Sequence, residues 1–199
     1  MASKYSNRKR KSEKTEEVED GLVTGVSPDG SESFTLFYGH VPVFSNFHPS
    51  PFTVDGVSFS CGEQFFHHAK AVHFKDEEHA AMILATDEPR LHKQLGRKVE
   101  HFVPQEWNDV CLDVMKRGSF AKYEQNDDMR KQLFATAGTT LVEASPRDRK
   151  WGIGLGVHNP KALDRKSWRG DNCLGKVLTE VRDDLMKRDI YRKEIVGSQ

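Results

Sequence analysis

PFTVDGVSFSCGEQFFHHAKA, residues 51–71, changes its period half-way through. The first ten residues carry strand-favouring Phe, Val and Thr, and Val54 and Val57 flank Asp55-Gly56, a dipeptide suited to a two-residue hairpin turn. From near Gly62 the spacing turns helical. Glu63, Phe66, His67 and Lys70 recur at three and four residues and share one stripe. A hairpin that runs directly into a helix places the chain in a mixed class.

The flanking sequence sets the balance. FTLFYG (34–39) reads as a strand, and a Pro-containing loop follows at 40–51. Helices are expected at 76–85, from Pro89 to about Gly96, at 104–123 and at 127–137. The third is the clearest: Trp107, Val110, Cys111, Val114, Gly118 and Ala121 keep helical spacing, and Glu106, Asp109, Asp113 and Lys116 stay outside it. TTLVEAS (139–145) reads as a strand. Asn172 is placed to cap a last helix whose apolar stripe runs through Leu174, Val177, Leu178, Val181 and Leu185. No repeat and no regular βαβ alternation is present. The expectation is an α+β fold, a single helix-rich domain with a small antiparallel sheet.

The chain has 199 residues, with 30 Lys+Arg against 30 Asp+Glu. A folded part of ~170 residues buries about 70% of its unfolded surface, enough for a core and a pocket. Zero net charge argues against a broadly basic nucleic-acid or membrane surface, though not against a local basic patch. Cys61, Cys111 and Cys173 are scattered with no CxxC, which suits reduced thiols inside a cell, nuclear or cytoplasmic. No apolar run approaches ~18 residues, and the N-terminus has no apolar signal region. Residues 1–30 are highly charged and read as a disordered tail, within which Arg8-Lys9-Arg10-Lys11 is either a nuclear import signal or a solubilising run. The domain is expected over 31–193, with a flexible C-terminus at 194–199.

Four stretches carry chemistry-bearing residues. Ser60-x-x-Glu63 spells a helix capping box, yet Glu63 also stands two turns from Lys70 on one helix face. A carboxylate serves as acid or base, and an amine of lowered pKa is a carbonyl nucleophile. In EASPRDRKWGIGLG (143–156) a strand delivers Glu143, then Asp148, Trp151 and three alternating glycines. Such glycines admit close backbone approach and present N–H groups to an anion, and Trp offers a stacking face; the structural alternative is an irregular turn with a core Trp. In WRGDNCLGKVL (168–178), Asn172 and Gly175 sit at a helix start, either as a phosphate contact or as an ordinary cap. In FSNFHPSPF (44–52), Asn46 is a candidate ligand contact in a polar turn. His67-His68 point to different sides of a helix, and His92, His101 and His158 lack zinc-like spacing, so no metal is expected.

In their order along the chain these pieces resemble the NADAR (YbiA-like) family. The matching stretches are FSNF (44–47), FTVDGVSFSCGEQFFHHAKA (52–71), LGRKV (95–99), KYEQN (122–126), LVEASPRDRKWGIGL (141–155) and WRGDNCLGKVLTEVR (168–182). The resemblance implies a hydrolase of N-glycosidic bonds that removes ADP-ribose from ADP-ribosylated guanine in DNA or RNA, with no cofactor. Its nearer alternative is a phosphorylated riboflavin-pathway intermediate as substrate; a non-catalytic ADP-ribose reader is the more distant one. It implies catalytic roles for Glu63, Lys70 and Asp148, with Lys70 as a Schiff-base former. Trp107 and Trp151 shape the pocket, and Asn46, Gly152, Gly154 and Asn172 are candidate ribose or phosphate contacts.

Overall fold

A computed structural model describes residues 16–18 and 22–196. Among these, the order is β1 (Glu16–Val18), β2 (Leu22–Val26), β3 (Ser33–Phe37), β4 (Pro49–Val54), β5 (Val57–Cys61), α1 (Gly62–His73), α2 (Glu77–Leu84), α3 (Pro89–Gly96), α4 (Pro104–Gln125), α5 (Asp127–Phe134), β6 (Thr140–Glu143), α6 (Cys173–Met186) and α7 (Arg192–Val196). This is the helix-rich α+β class that the period change at 51–71 implies. The β4–β5 hairpin turns through Asp55 (φ 50°) and Gly56 (φ 79°), the left-handed pair that a tight hairpin needs.

The larger sheet has the order β1-β2-β3-β6. β1, β2 and β3 pair antiparallel, and β6 lies parallel to β3 with Phe37 opposite Glu143. A parallel partner cannot be reached by a tight turn. The crossover here holds the β4–β5 hairpin and helices α1 to α5.

Strand alternation divides the sheet between two cores. Phe37 and Leu141 face the helices, in a cluster with Phe66, Trp107, Cys111, Tyr123 and the α6 stripe. Phe34, Leu36, Val142 and Ala144 face the other way, against Ile153, Leu155, Ala162 and Leu163 from the irregular segment before α6. α1 is central: it packs on α2, α3, α4 and β5.

Two boundary expectations are corrected. The tail expected over 1–30 gives way to structure within it: Leu22–Val26 pair residue by residue with Phe37–Ser33, and Val23 is buried. LVTGV is β-favouring in itself, but charged neighbours mask it in any average over the segment. The rest of that tail, residues 1–15 and 19–21 with the Arg8–Lys11 run, lies outside the described residues. The flexible C-terminus expected from 194 begins inside α7, where Glu194 accepts from buried Arg130 over 2.8 Å. Residues 197–199 lie outside the described part.

Candidate active site

A cavity of about 990 Å³ opens at the carboxyl ends of the parallel β3–β6 pair. This is where strand ends, loops and helix starts leave room for a ligand. Tyr38, Gly39 and His40 follow β3 into it, Glu143 ends β6 there with Ser145 and Asp148 after it, and Glu63, Phe66 and His67 come from α1. Asn46 and Phe47 line it as well, with Arg90 and Lys93 of α3, and Lys93 Nζ lies 5.7 Å from the Phe47 ring centre.

The start of α1 settles the capping question. Cys61 is the N-cap and makes no side-chain cap bond. Gln64, not Glu63, reaches back: its Oε1 accepts from Ser60 N over 2.6 Å and from Ser60 Oγ over 3.1 Å. Gln64 Nε2 also donates to the carbonyls of Ile83 and Thr86 at 3.1 and 2.8 Å, tying the helix start to the end of α2. Glu63 is thereby free of capping. Its backbone N–H donates to Asn46 O over 3.0 Å, and its carboxylate stands 3.1 Å from His67 Nε2, one turn along the helix. Both side chains are buried in the cavity wall.

A second carboxyl faces the same space. In β6, Leu141 and Glu143 share the helix-facing side, so Glu143 ends the strand pointing at the cavity. Its backbone is fixed: Glu143 N donates to Asn172 Oδ1 over 3.0 Å, and Glu143 O accepts from Ile153 N over 3.0 Å. Burial pushes its carboxyl up to about 8, and the nearby Asp148 and Glu63 charges add to the rise, while Lys93 opposes it. Glu143 stands in the sequence motif but was not among the expected catalytic residues; the signal for it was the two-residue period from Leu141. Asp148 lines the cavity too, and its Oδ1 accepts from Lys150 N and Trp151 N at 3.0 and 2.8 Å. It holds the turn that presents Trp151 to Phe66, edge-on at 5.2 Å.

Of the sequence-expected residues, the cavity brings together Glu63, Asp148, Asn46 and Trp151. The others sit elsewhere. Lys70 is not in the cavity lining: its Nζ donates to Gly96 O over 2.8 Å and lies 3.8 Å from the Phe102 ring centre, and burial lowers its pKa. Trp107 is buried behind the cavity wall and packs on Phe66 at 5.2 Å. Two amides of the glycine segment turn inward: Ile153 N donates to Glu143 O, and Gly154 N to Asp148 O over 3.1 Å. Gly154 is there for its φ of 68°, and Gly152 because a Cβ would come within 2.9 Å of Glu143 O. Asn172 precedes α6 in the left-handed region at φ 53° without a side-chain cap. Fully buried, it spends its amide on β6, giving Nδ2 to Leu141 O over 2.9 Å.

Asn46 itself is partly committed, since its Nδ2 contacts Met115 Sδ at 3.3 Å. Behind it, Lys122 donates from a fully enclosed Nζ to Val43 O and Ser45 O at 2.7 and 2.9 Å, with its pKa lowered by burial to about 7. That lysine pins the loop that carries Asn46. Among the described residues no group of three or more His, Cys, Asp or Glu is placed to hold a metal ion. No helix in this part is long and apolar enough to cross a membrane.

Comparison with known proteins places the sequence and the fold in a known group. Residues 36–186 match the NADAR domain. The chain is 40% identical to Protein irg-1 of Caenorhabditis elegans over 84% of its own length and 86% of that protein. It is 33% identical to N-glycosidase R617 of Acanthamoeba polyphaga mimivirus, over 77% of this chain and 97% of the relative. The NMR structure of the E. coli protein YbiA superposes with a TM-score of 0.61 at 30% identity, covering 76% of this chain and 84% of that one. With the matched domain spanning the cavity, the α1 and β6 elements that carry Glu63 and Glu143, and the core beneath them, the chain belongs to the NADAR domain family.

Proposed function

We propose that this protein is an N-glycosidase that hydrolyses the bond between ADP-ribose and guanine in DNA or RNA. The observation that carries the reading is the pair of carboxyls, Glu63 and Glu143, facing one cavity in a NADAR domain, one of them held protonated near neutral pH. The curated relative R617 is named an N-glycosidase, which supports the bond type.

As the ribose C1–N bond breaks, the electron pair leaves with the guanine nitrogen and positive charge develops on the ribose. The Glu63 carboxylate, oriented by His67, stabilises that charge in a site shielded by Phe66 and Trp151. Glu143 carries the proton that the departing nitrogen needs, and delivers it as general acid. Water then adds to C1, and its proton returns to the Glu143 carboxylate, so ADP-ribose and free guanine N–H are the products. Arg90 and Lys93 supply positive charge on the α3 side, suited to a diphosphate, and Phe47 beside Lys93 offers a ring face to a base. A volume near 990 Å³ suits a ligand of this size. No step is assigned to Lys70, whose ammonium would have to leave Gly96 O to meet a sugar aldehyde.

The test is direct. ADP-ribosylated guanine in a DNA and in an RNA oligonucleotide is incubated with the protein, beside a phosphorylated riboflavin-pathway intermediate. Release of ADP-ribose is the expected result. Turnover of the riboflavin intermediate alone moves the activity to that substrate class, and binding of ADP-ribose with no release from any substrate makes the protein a reader.

A further inference from the structure

One buried group on the cavity wall has half of its hydrogen-bonding capacity unaccounted for. His67 Nε2 meets Glu63 Oε1 at 3.1 Å, but its Nδ1 has no hydrogen-bond partner among the described residues. An ionised carboxylate only accepts, so Nε2 carries the proton and donates it. Nδ1 is then a bare acceptor, because a second N–H there would be buried with nothing to bond. What Nδ1 faces is the backbone of α3. A Cβ built on Gly96 would fall 1.9 Å from Nδ1 and 2.4 Å from Cγ, so the imidazole occupies the space that a side chain at Gly96 would take. Gly96 is itself fixed by Lys70 Nζ, which donates to its carbonyl over 2.8 Å while seated on the Phe102 ring. The three side chains on one stripe of α1 thus form a chain of contacts that runs from Lys70 through Gly96 to His67 and ends at Glu63.

We propose that His67 is a positioning residue for Glu63: an imidazole that donates Nε2–H to the carboxylate and is seated on Gly96, with Lys70 keeping that seat in place through the Gly96 carbonyl. The inference rests on the reading of Glu63 as the carboxylate that faces the ribose. By engaging one oxygen of Glu63, His67 fixes the plane of the carboxylate and leaves the other oxygen for substrate. Gly96 is required because any side chain at that position displaces the ring.

A DNA oligonucleotide bearing ADP-ribosylated guanine is the probe, and kcat, KM and melting temperature are the readouts. His67→Leu is expected to lower kcat by about 10²-fold, the size of effect that misplacing a reacting group produces, with KM nearly unchanged. His67→Gln puts an amide N–H where Nε2 was and is expected to restore most of the rate. His67→Asn puts it where Nδ1 was and is not. Gly96→Ala should reproduce the loss of His67→Leu, and this variant with the Gln/Asn pair carries the test where His67→Leu folds poorly. In a Glu63→Ala background, adding His67→Leu should leave the residual rate unchanged, whereas a merely structural role would add its loss. A normal kcat in His67→Leu or Gly96→Ala, or a full further loss on top of Glu63→Ala, overturns the positioning role. Normal activity in Glu63→Ala itself overturns the reading of Glu63 instead, which separates the two failures.

Discussion

Glu63 and Glu143 are both carboxyls of one cavity, yet their surroundings push them towards different tasks. Glu63 has His67 Nε2 at 3.1 Å, which fixes the orientation of its carboxyl group in the cavity wall. Glu143 is buried beside two other carboxyls, and its proton is retained up to about pH 8 against an ordinary value of 4.5. If the protonated form is the general acid, the rate stays high at neutral pH and falls as pH rises through about 8. Replacement by Gln should remove that alkaline limb and lower the plateau by about 10²-fold or more. The sign of the stability effect follows from the same shift. The folded state binds this proton more tightly than the unfolded chain, so the associated stability is complete below about 4.5 and is lost as pH rises towards 8. Glu143→Gln, which cannot ionise, should therefore melt higher than the wild type above pH 8, and thermal melts across that range check it. Glu63 was legible in the sequence through its motif and helix spacing. Glu143 was in view, but its role depends on which strand lies beside β6, and that pairing joins residues more than a hundred positions apart.

At the scale of elements, the hairpin, the helices α1 to α6 and strand β6 were readable because each carries its own period, turn or cap. Asp55-Gly56 turns the hairpin, Pro89 and Pro104 each open a helix, and Asp76 caps α2 by accepting from His79 N over 3.0 Å. The polar residues at element ends were harder to read, since one sequence pattern admits several partners. Ser60-x-x-Glu63 is such a case, because Gln64 makes the reach that the pattern assigns to Glu63. Asn172 is another: in place of capping α6 it bridges that helix start to β6 through Glu143 N and Leu141 O. Asn172→Ala strands both backbone groups in a fully buried site and puts alanine at φ 53°. A loss of roughly 2–3 kcal/mol is expected from the unpaired groups. For a chain of this size that corresponds to about 4–12 °C in melting temperature. Unchanged melting in Asn172→Ala would contradict this bridge.

At the scale of the whole molecule, the described residues form two cores on opposite faces of one mixed sheet, a third apolar cluster of Phe52, Phe59 and Phe65 at the β4–β5 hairpin, and the cavity at the ends of the parallel strands. β2 belongs to this architecture, although a charge-based division of the sequence would remove it at residue 31. Deleting residues 1–30 strips β2 from β3, takes Val23 out of the second core and opens a long apolar edge. That variant should lose soluble yield and melting temperature together, and a deletion that melts like the intact chain would show β2 to be dispensable. Long-range assembly was not readable beforehand because composition averages over LVTGV and because no local signal announces a parallel partner. The central claim, that the Glu63 carboxylate in this cavity performs glycosidic hydrolysis, is tested most directly by the rate at which Glu63→Gln releases ADP-ribose from ADP-ribosylated guanine in DNA. The prediction is a rate about 10²-fold or more below the intact protein, with a melting temperature close to it because Gln64, not Glu63, holds the helix start. A near-normal rate in the folded variant, or a loss of rate matched by loss of fold, would contradict it.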